Sequence, residues 1–331
     1  MGYKAVAMVI VQTVFSLGTL LLNYFYCKHK LHIKIWFQNF NYTLFKEIMV
    51  FSWWNFLGAI VDRIYWNTGQ FFLGIYCGTA AIAIFSLAIT LNNLYITMST
   101  AFNSVLLPRV TIMATKHNDI EISNLFIKTG RLQFTILCLI TCGFVVFGKP
   151  FIEIWAGESY AKSYTITLIF FITLICPLIQ NLGISILLAR GQQKFRSLSY
   201  LGIAVLSIIG QYYITPKYGA VGCAWVIAIS HYIGQWLVMN IYYYKKQKIN
   251  IPEFWKQIIK MSIFPVIFTL GFYLIARHFN IDEWWRFGTL FLLYLSFYII
   301  GFYIFSMNKY ERDLVLNPSR QLFKNSINNT I

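Results

Sequence analysis

Apolar runs of about 20 residues recur along the whole chain, separated by short polar segments. Each is long enough to cross a hydrocarbon core about 30 Å thick as an α-helix. The pattern predicts roughly nine spans, at residues 5–26, 47–75, 79–106, 132–148, 164–188, 198–214, 219–244, 258–277 and 287–307. The short alternating segments of a transmembrane β-barrel do not occur. The expected fold class is all-α, a polytopic transmembrane helix bundle. The first run is too long for the apolar core of a secretory signal and ends without a small-residue cleavage site, so it reads as a span.

Polar positions inside the spans are few and patterned. On a helical wheel of the second span, Ser52, Asn55, Asp62, Arg63, Asn67 and Gln70 share an arc of about 140°. Trp54, Leu57, Val61, Ile64 and Phe71 are assigned to the opposite face. An ionisable group near mid-membrane costs at least about 2.5–3.5 kcal/mol without a partner or water. Two readings account for Asp62 and Arg63. In one, Arg63 offers its guanidinium fork to an anion across a water-filled lumen, while Asp62 tunes that charge or binds a cation. In the other, they form structural ion pairs with another helix, or snorkel. The third span repeats the pattern more mildly, with Ser86, Thr90, Asn93, Thr97 and Thr100 within about 80° of one another. His231 and Gln235, four apart in the seventh span, share a face and read either as a hydrogen-bonded packing pair or as transport residues.

Composition agrees with the spans. Of 331 residues, 58% are hydrophobic and 11% charged, where a soluble domain has about a quarter charged. The net charge of +16 does not call for nucleic acid, because the cations sit in short segments between apolar runs. They gather on one side, at 28–46, 109–131 (including Arg131), 190–196 (including Arg190), 245–260 and in the tail from Lys309 onward. Lys4, Lys149, Lys162, Lys217, Arg277 and Arg286 fall on the other. The positive-inside rule then places the C-terminus in the cytoplasm and the N-terminus outside. Two cationic segments, 27–46 and 109–131, read as amphipathic stretches at the cytoplasmic interface; the second follows Pro108, which is expected to end a helix. Pro177 and Pro265 are expected to kink their spans.

Six scattered cysteines read as packing residues. No metal-ligand spacing, phosphate loop or nucleophile motif occurs, so neither a metal, a cofactor nor a catalytic set is expected. Glu153, Glu158, Asp282 and Glu283 read as solvated loop charges.

The run from Trp53 through Asp62-Arg63, Leu73-Gly74-Ile75-Tyr76, Ala83-Ile84-Phe85-Ser86-Leu87-Ala88 and Leu107-Pro108-Arg109 resembles the polysaccharide transporter (Wzx-type flippase) family. That family belongs to the multidrug/oligosaccharidyl-lipid/polysaccharide exporter superfamily. So does the run from Leu187 to Lys194, followed by Pro216 to Ala224. Members of this family have 12 to 14 spans in two six-helix lobes, often with two added helices. The resemblance implies that residues 1–26 match the last helix of an N-terminal lobe, 27–46 an inter-lobe linker, 47–244 the six-helix C-terminal lobe, and 245–331 two additional helices with a cytoplasmic tail. About five helices of the family pattern have no counterpart, so the expectation is an N-terminally shortened member.

The activity so implied is translocation of an undecaprenyl-diphosphate-linked oligosaccharide across the bacterial inner membrane by alternating access, for surface polysaccharide such as O-antigen, capsule or exopolysaccharide. It is transport rather than enzymatic chemistry. Arg63 is the first candidate for a diphosphate or acidic-sugar contact, followed by Asp62, Asn55, Asn67, Gln70, Asn93, Thr97 and His231. The implied partners are the lipid-linked substrate, membrane lipids, glycan polymerase and glycosyltransferases, without nucleic acid. Two alternatives remain open. A cation-coupled multidrug exporter would favour acidic lumen residues over an arginine. A membrane-bound glycan polymerase or ligase would carry a large outside loop, whereas the outside loops here are short.

Overall fold

The computed structural model describes residues 2–30, 41–115, 119–276 and 283–313, and among these the secondary structure is helical, without strands. The chain divides into two compact units, Met1–Val50 and Phe51–Ile331.

The first unit holds α1 (Gly2–His29) and the opening turns of α2 (Tyr42–Tyr76). The side chains of α1 are almost all exposed. Its hydroxyls turn back onto their own helix: Thr13 Oγ1 donates to Val9 O at 2.8 Å, Ser16 Oγ to Gln12 O at 2.8 Å and Thr19 Oγ1 to Phe15 O at 2.9 Å. A helix whose polar groups are satisfied within itself can lie against lipid. Asn41 caps α2 by accepting the Leu44 amide at 3.1 Å, an ordinary N-cap bond. Half of the expected amphipathic linker, residues 31–40, lies outside the described residues, as do Arg277 and Asp282.

The second unit continues α2 and adds α3 (Thr79–Thr115), α4 (Asp119–Ala156), α5 (Lys162–Leu178), α6 (Leu182–Ala189), α7 (Gln193–His231), α8 (Met239–Lys245), α9 (Ile251–Ala276) and α10 (Trp284–Phe305). A π-helical stretch, Tyr232–Val238, joins α7 to α8. Among the described residues seven helices are long and apolar enough to cross a membrane, and α5 with α6 forms an eighth crossing bent by 42°. One of the seven, Gln193–Lys245, is 53 residues long, or about 80 Å if straight, more than twice a hydrocarbon core. Gly219 breaks it, with φ 58° and ψ −146°, a region that side-chain-bearing residues avoid. The two arms then run antiparallel. Phe195 stacks on Tyr242 at 4.2 Å, and Cys223 Sγ lies 3.6 Å from Gln211 Oε1. A Cβ on Gly234 would stand 2.7 Å from Ile203 Cδ1. Among the described residues the crossings thus number nine, the count that the hydropathy pattern predicts.

Two boundaries differ from expectation. Pro108 does not end α3, which runs on to Thr115, and residues 119–131 form the buried first turns of α4 rather than an interfacial strip. Val110, Ile122 and Phe126 are fully or almost fully buried. A proline removes one backbone bond, and packing on both sides outweighs that loss here. Nor are Arg131 and Arg190 free loop cations. Arg131 donates from Nε to Glu311 Oε1 at 2.6 Å and from Nη2 to Glu311 Oε2 at 2.8 Å, with both side chains over nine-tenths buried. Arg190 pairs with Asp119 at 2.6 Å. Sequence windows register these arginines as polar positions and contain no sign of their distant partners.

The core lies between α3, α4, α5 and α9, with an aromatic stack of Phe147, Phe268, Phe272, Tyr294 and Tyr298 fastening α10 to it. Pro177 falls at the α5–α6 bend, where the Leu178 carbonyl accepts Ser99 Oγ of α3 at 2.8 Å. Gln133 of α4 in turn donates from Nε2 to the Ser99 carbonyl at 3.2 Å. Gly130 makes this possible, since a Cβ there would stand 2.8 Å from Ile179 O. Pro265 stays within α9. It cannot donate to Met261 O, which instead accepts Ser306 Oγ at 3.1 Å.

The Arg131–Glu311 pair holds the segment after α10 against α4. Arg131→Met, which strands a buried carboxylate, is expected to cost about 3–5 kcal/mol, and the double substitution with Glu311→Met to recover most of it. Thermal unfolding of the purified variants in detergent measures both; equal losses in single and double variants would contradict this account.

Candidate functional site

Helix α2 has two distinct faces from Phe51 onward. Gly58, Val61, Tyr65, Gly69 and Phe72 form the packed one. Facing away from it is a shallow, open groove along α2 itself, lined by Phe56, Ala59, Ile60, Arg63, Ile64, Asn67, Thr68 and Phe71. Arg63 and Asn67 are exposed in it, and among the described residues neither has a hydrogen-bond or ion-pair partner. Phe71, expected on the opposite side from Arg63, lines the same groove and is 66% exposed. The eight positions between the two amount to little more than two turns, a net rotation of about 80°.

Asp62 does not join Arg63. One position back along the helix rotates it by about 100°, toward the packed side, where it is half-buried and lies in the field of Arg196. The Arg196 guanidinium in turn sits 4.7 Å from the Tyr200 ring centroid. Asp62 thus turns toward the packed side and Arg63 toward the open one. Sequence inspection had assigned Arg196 to a connecting segment; its position in the first turn of α7, on the side facing α2, gives it this role.

The remaining candidates divide in the same way. Asn55 turns back on its own helix, donating from Nδ2 to Phe51 O at 3.2 Å. Gln70 ties α2 to α3, donating from Nε2 to Ser86 Oγ at 3.3 Å. That bond, with the Gly74–Ile82 contact, sets an antiparallel register in which Asn93 stands at the level of Arg63. Asn93 and Thr97 are exposed, with Thr97 Oγ1 donating to Asn93 O at 2.8 Å. Asn92, not singled out from the sequence, is fully buried, and neither of its amide atoms has a partner among the described residues. His231 is buried on the packed side of α2, edge-on to Tyr65 at 4.3 Å and to Trp66 at 5.2 Å. Gln235 Nε2 lies 3.2 Å from its Nε2. Arg63, Asn67, Asn93 and Thr97 thus share exposure, whereas Asp62, Gln70 and His231 serve the packing between helices. The exposed set combines one guanidinium with amides and a hydroxyl, a combination that receives anions and sugar hydroxyls.

Residues 1–165, about half of the chain, match a family described as "Polysaccharide biosynthesis protein". The chain belongs to this family. The teichuronic acid biosynthesis protein TuaB of Bacillus subtilis (strain 168) is 24% identical over 260 residues, covering 74% of this chain and 52% of that protein. This polysaccharide biosynthesis protein therefore spans about half the length of the curated relative it matches. No solved structure matches it.

The two faces of α2 differ in their access to water. With the six native cysteines replaced, Arg63→Cys and Asn67→Cys are expected to react with a water-soluble maleimide in membrane vesicles. Ile267→Cys, on an exposed apolar face of α9 at 65% exposure for the native side chain, is expected to stay unlabelled. Equal inertness at all three positions would mean that the Arg63 groove faces lipid.

Proposed function

We propose that this protein is part of a flippase moving a lipid-linked oligosaccharide across the bacterial inner membrane, with the open faces of α2 and α3 as one wall of the polar path. The observation that carries the reading is Arg63, a cation within a membrane span, exposed in a groove and unpartnered among the described residues. A guanidinium left facing lipid is costly, whereas one facing a wet lumen is a ready fork for a phosphate or acidic sugar. Asn67 and Asn93 stand near it to bind hydroxyls.

In this reading the helices from residue 47 to 244 form one lobe, with α9 and α10 as an added pair and residues 27–46 as a linker. Residues 1–26 are read as the last helix of a second lobe. Access alternates between the leaflets while the diphosphate head travels in the lumen and the isoprenoid tail stays in the bilayer. The excess of cations on the C-terminal side supports a cytoplasmic C-terminus, on the side where glycosyltransferases would supply the substrate. A glycan polymerase takes it up on the far side. The relative named for teichuronic acid biosynthesis supports an acidic or phosphate-bearing cargo, in keeping with the sign of Arg63.

Surface polysaccharide in cells dependent on this protein tests the proposal. Arg63→Ala, at unchanged membrane abundance, is expected to lower its output about tenfold or more, the size of a lost charge-assisted hydrogen bond. Arg63→Lys, which keeps the charge and loses the fork, is expected to fall between. Wild-type output from Arg63→Ala would overturn the assignment.

A further inference from the structure

A polar cavity of about 570 Å³ lies between the first turns of α4, the first turns of α9 and the segment after α10. It takes no part in the transport reading. Its charged lining consists of Lys128, Arg131 and Lys248 against Asp119 and Glu253, three cations to two carboxylates.

The acceptors are largely occupied. Asp119 receives Arg190 on Oδ1 at 2.6 Å and Lys248 on Oδ2 at 3.6 Å. Glu253 Oε1 receives Gln257 Nε2 at 2.8 Å. Asn250 Oδ1 caps α9 through the Glu253 amide at 3.1 Å, and Asn308 Oδ1 accepts the Glu311 amide at 2.9 Å. Of the donors, Lys248 is shared with Asp119, whereas Lys128 and two side-chain amides are open. Among the described residues Lys128 Nζ touches only the Tyr310 ring, 4.8 Å from its centroid, and the Nδ2 groups of Asn250 and Asn308 have no partner. Lys248 is held with φ 54°, a left-handed backbone unusual for a lysine, and its side chain is 75% exposed. Two helix N-termini, those of α4 and α9, add their positive ends.

We propose that this cavity binds a phosphate ester, with Lys128 and Lys248 supplying charge and the Asn250 and Asn308 amides completing the hydrogen bonds. A space of this volume exceeds a bare phosphate and leaves room for the esterified group. Such an anion comes either from the headgroup of an anionic phospholipid at the membrane surface or from a soluble phosphorylated compound.

Thermal-shift and native mass-spectrometric titrations of the full chain in neutral detergent separate these sources. The probes are glycerol 1-phosphate, phosphatidylglycerol, and their phosphate-free counterparts glycerol and diacylglycerol. Saturable binding of glycerol 1-phosphate identifies a soluble ligand, and binding of phosphatidylglycerol alone identifies a headgroup; either supports the site. Lys128→Gln and Lys248→Gln are each expected to weaken that binding about fivefold. Lys256→Gln, on an exposed position of α9 outside the cavity, is expected to leave it unchanged. The unliganded melting temperature of each variant shows that it is folded. The proposal is overturned by no saturable response to either phosphate, by equal responses to the phosphate-free probes, or by equal losses in all three variants.

Discussion

Hydrocarbon offers no hydrogen bonds, so each backbone amide and carbonyl in a span must find its partner within the protein. That constraint explains the details around the two membrane prolines. At Pro177 the chain bends between α5 and α6, and the Ser99 hydroxyl of α3 bonds the Leu178 carbonyl there. At Pro265 a serine from beyond α10 supplies the missing donor. Proline acts here as a place where other elements can be bonded in, and Gly130 is needed because the bend brings a carbonyl against α4.

The same solvent sorts the charges. Arg131 has Glu311 and Arg190 has Asp119. Each pair holds together elements that are far apart in sequence. Arg63, in the described residues, has no such partner, and its exposure in a groove distinguishes it from these structural cations by geometry rather than by residue type.

Much of this was legible in the residues alone. Spans separated by short polar segments were readable because burial from water dominates, and the turn at Gly219 was visible as a small-residue break. The polar arc of α2 was visible too, but its division was not. A helical wheel gives angles and not neighbours, so it joined Asp62 to Arg63 and placed Phe71 opposite, whereas the packed direction is set by α7 and α5. Long-range pairs such as Arg131 with Glu311 leave no local mark, which is why the 109–131 stretch read as an interfacial strip instead of the end of α3 and the buried start of α4.

Gly219 also bears on which helices can pair. With one residue reversing the direction between two long apolar arms, each arm has the other as its obligatory neighbour. A polar group on the inner face of one arm is then matched by the other, as Gln211 and Cys223 are, without a donor from the surrounding helices.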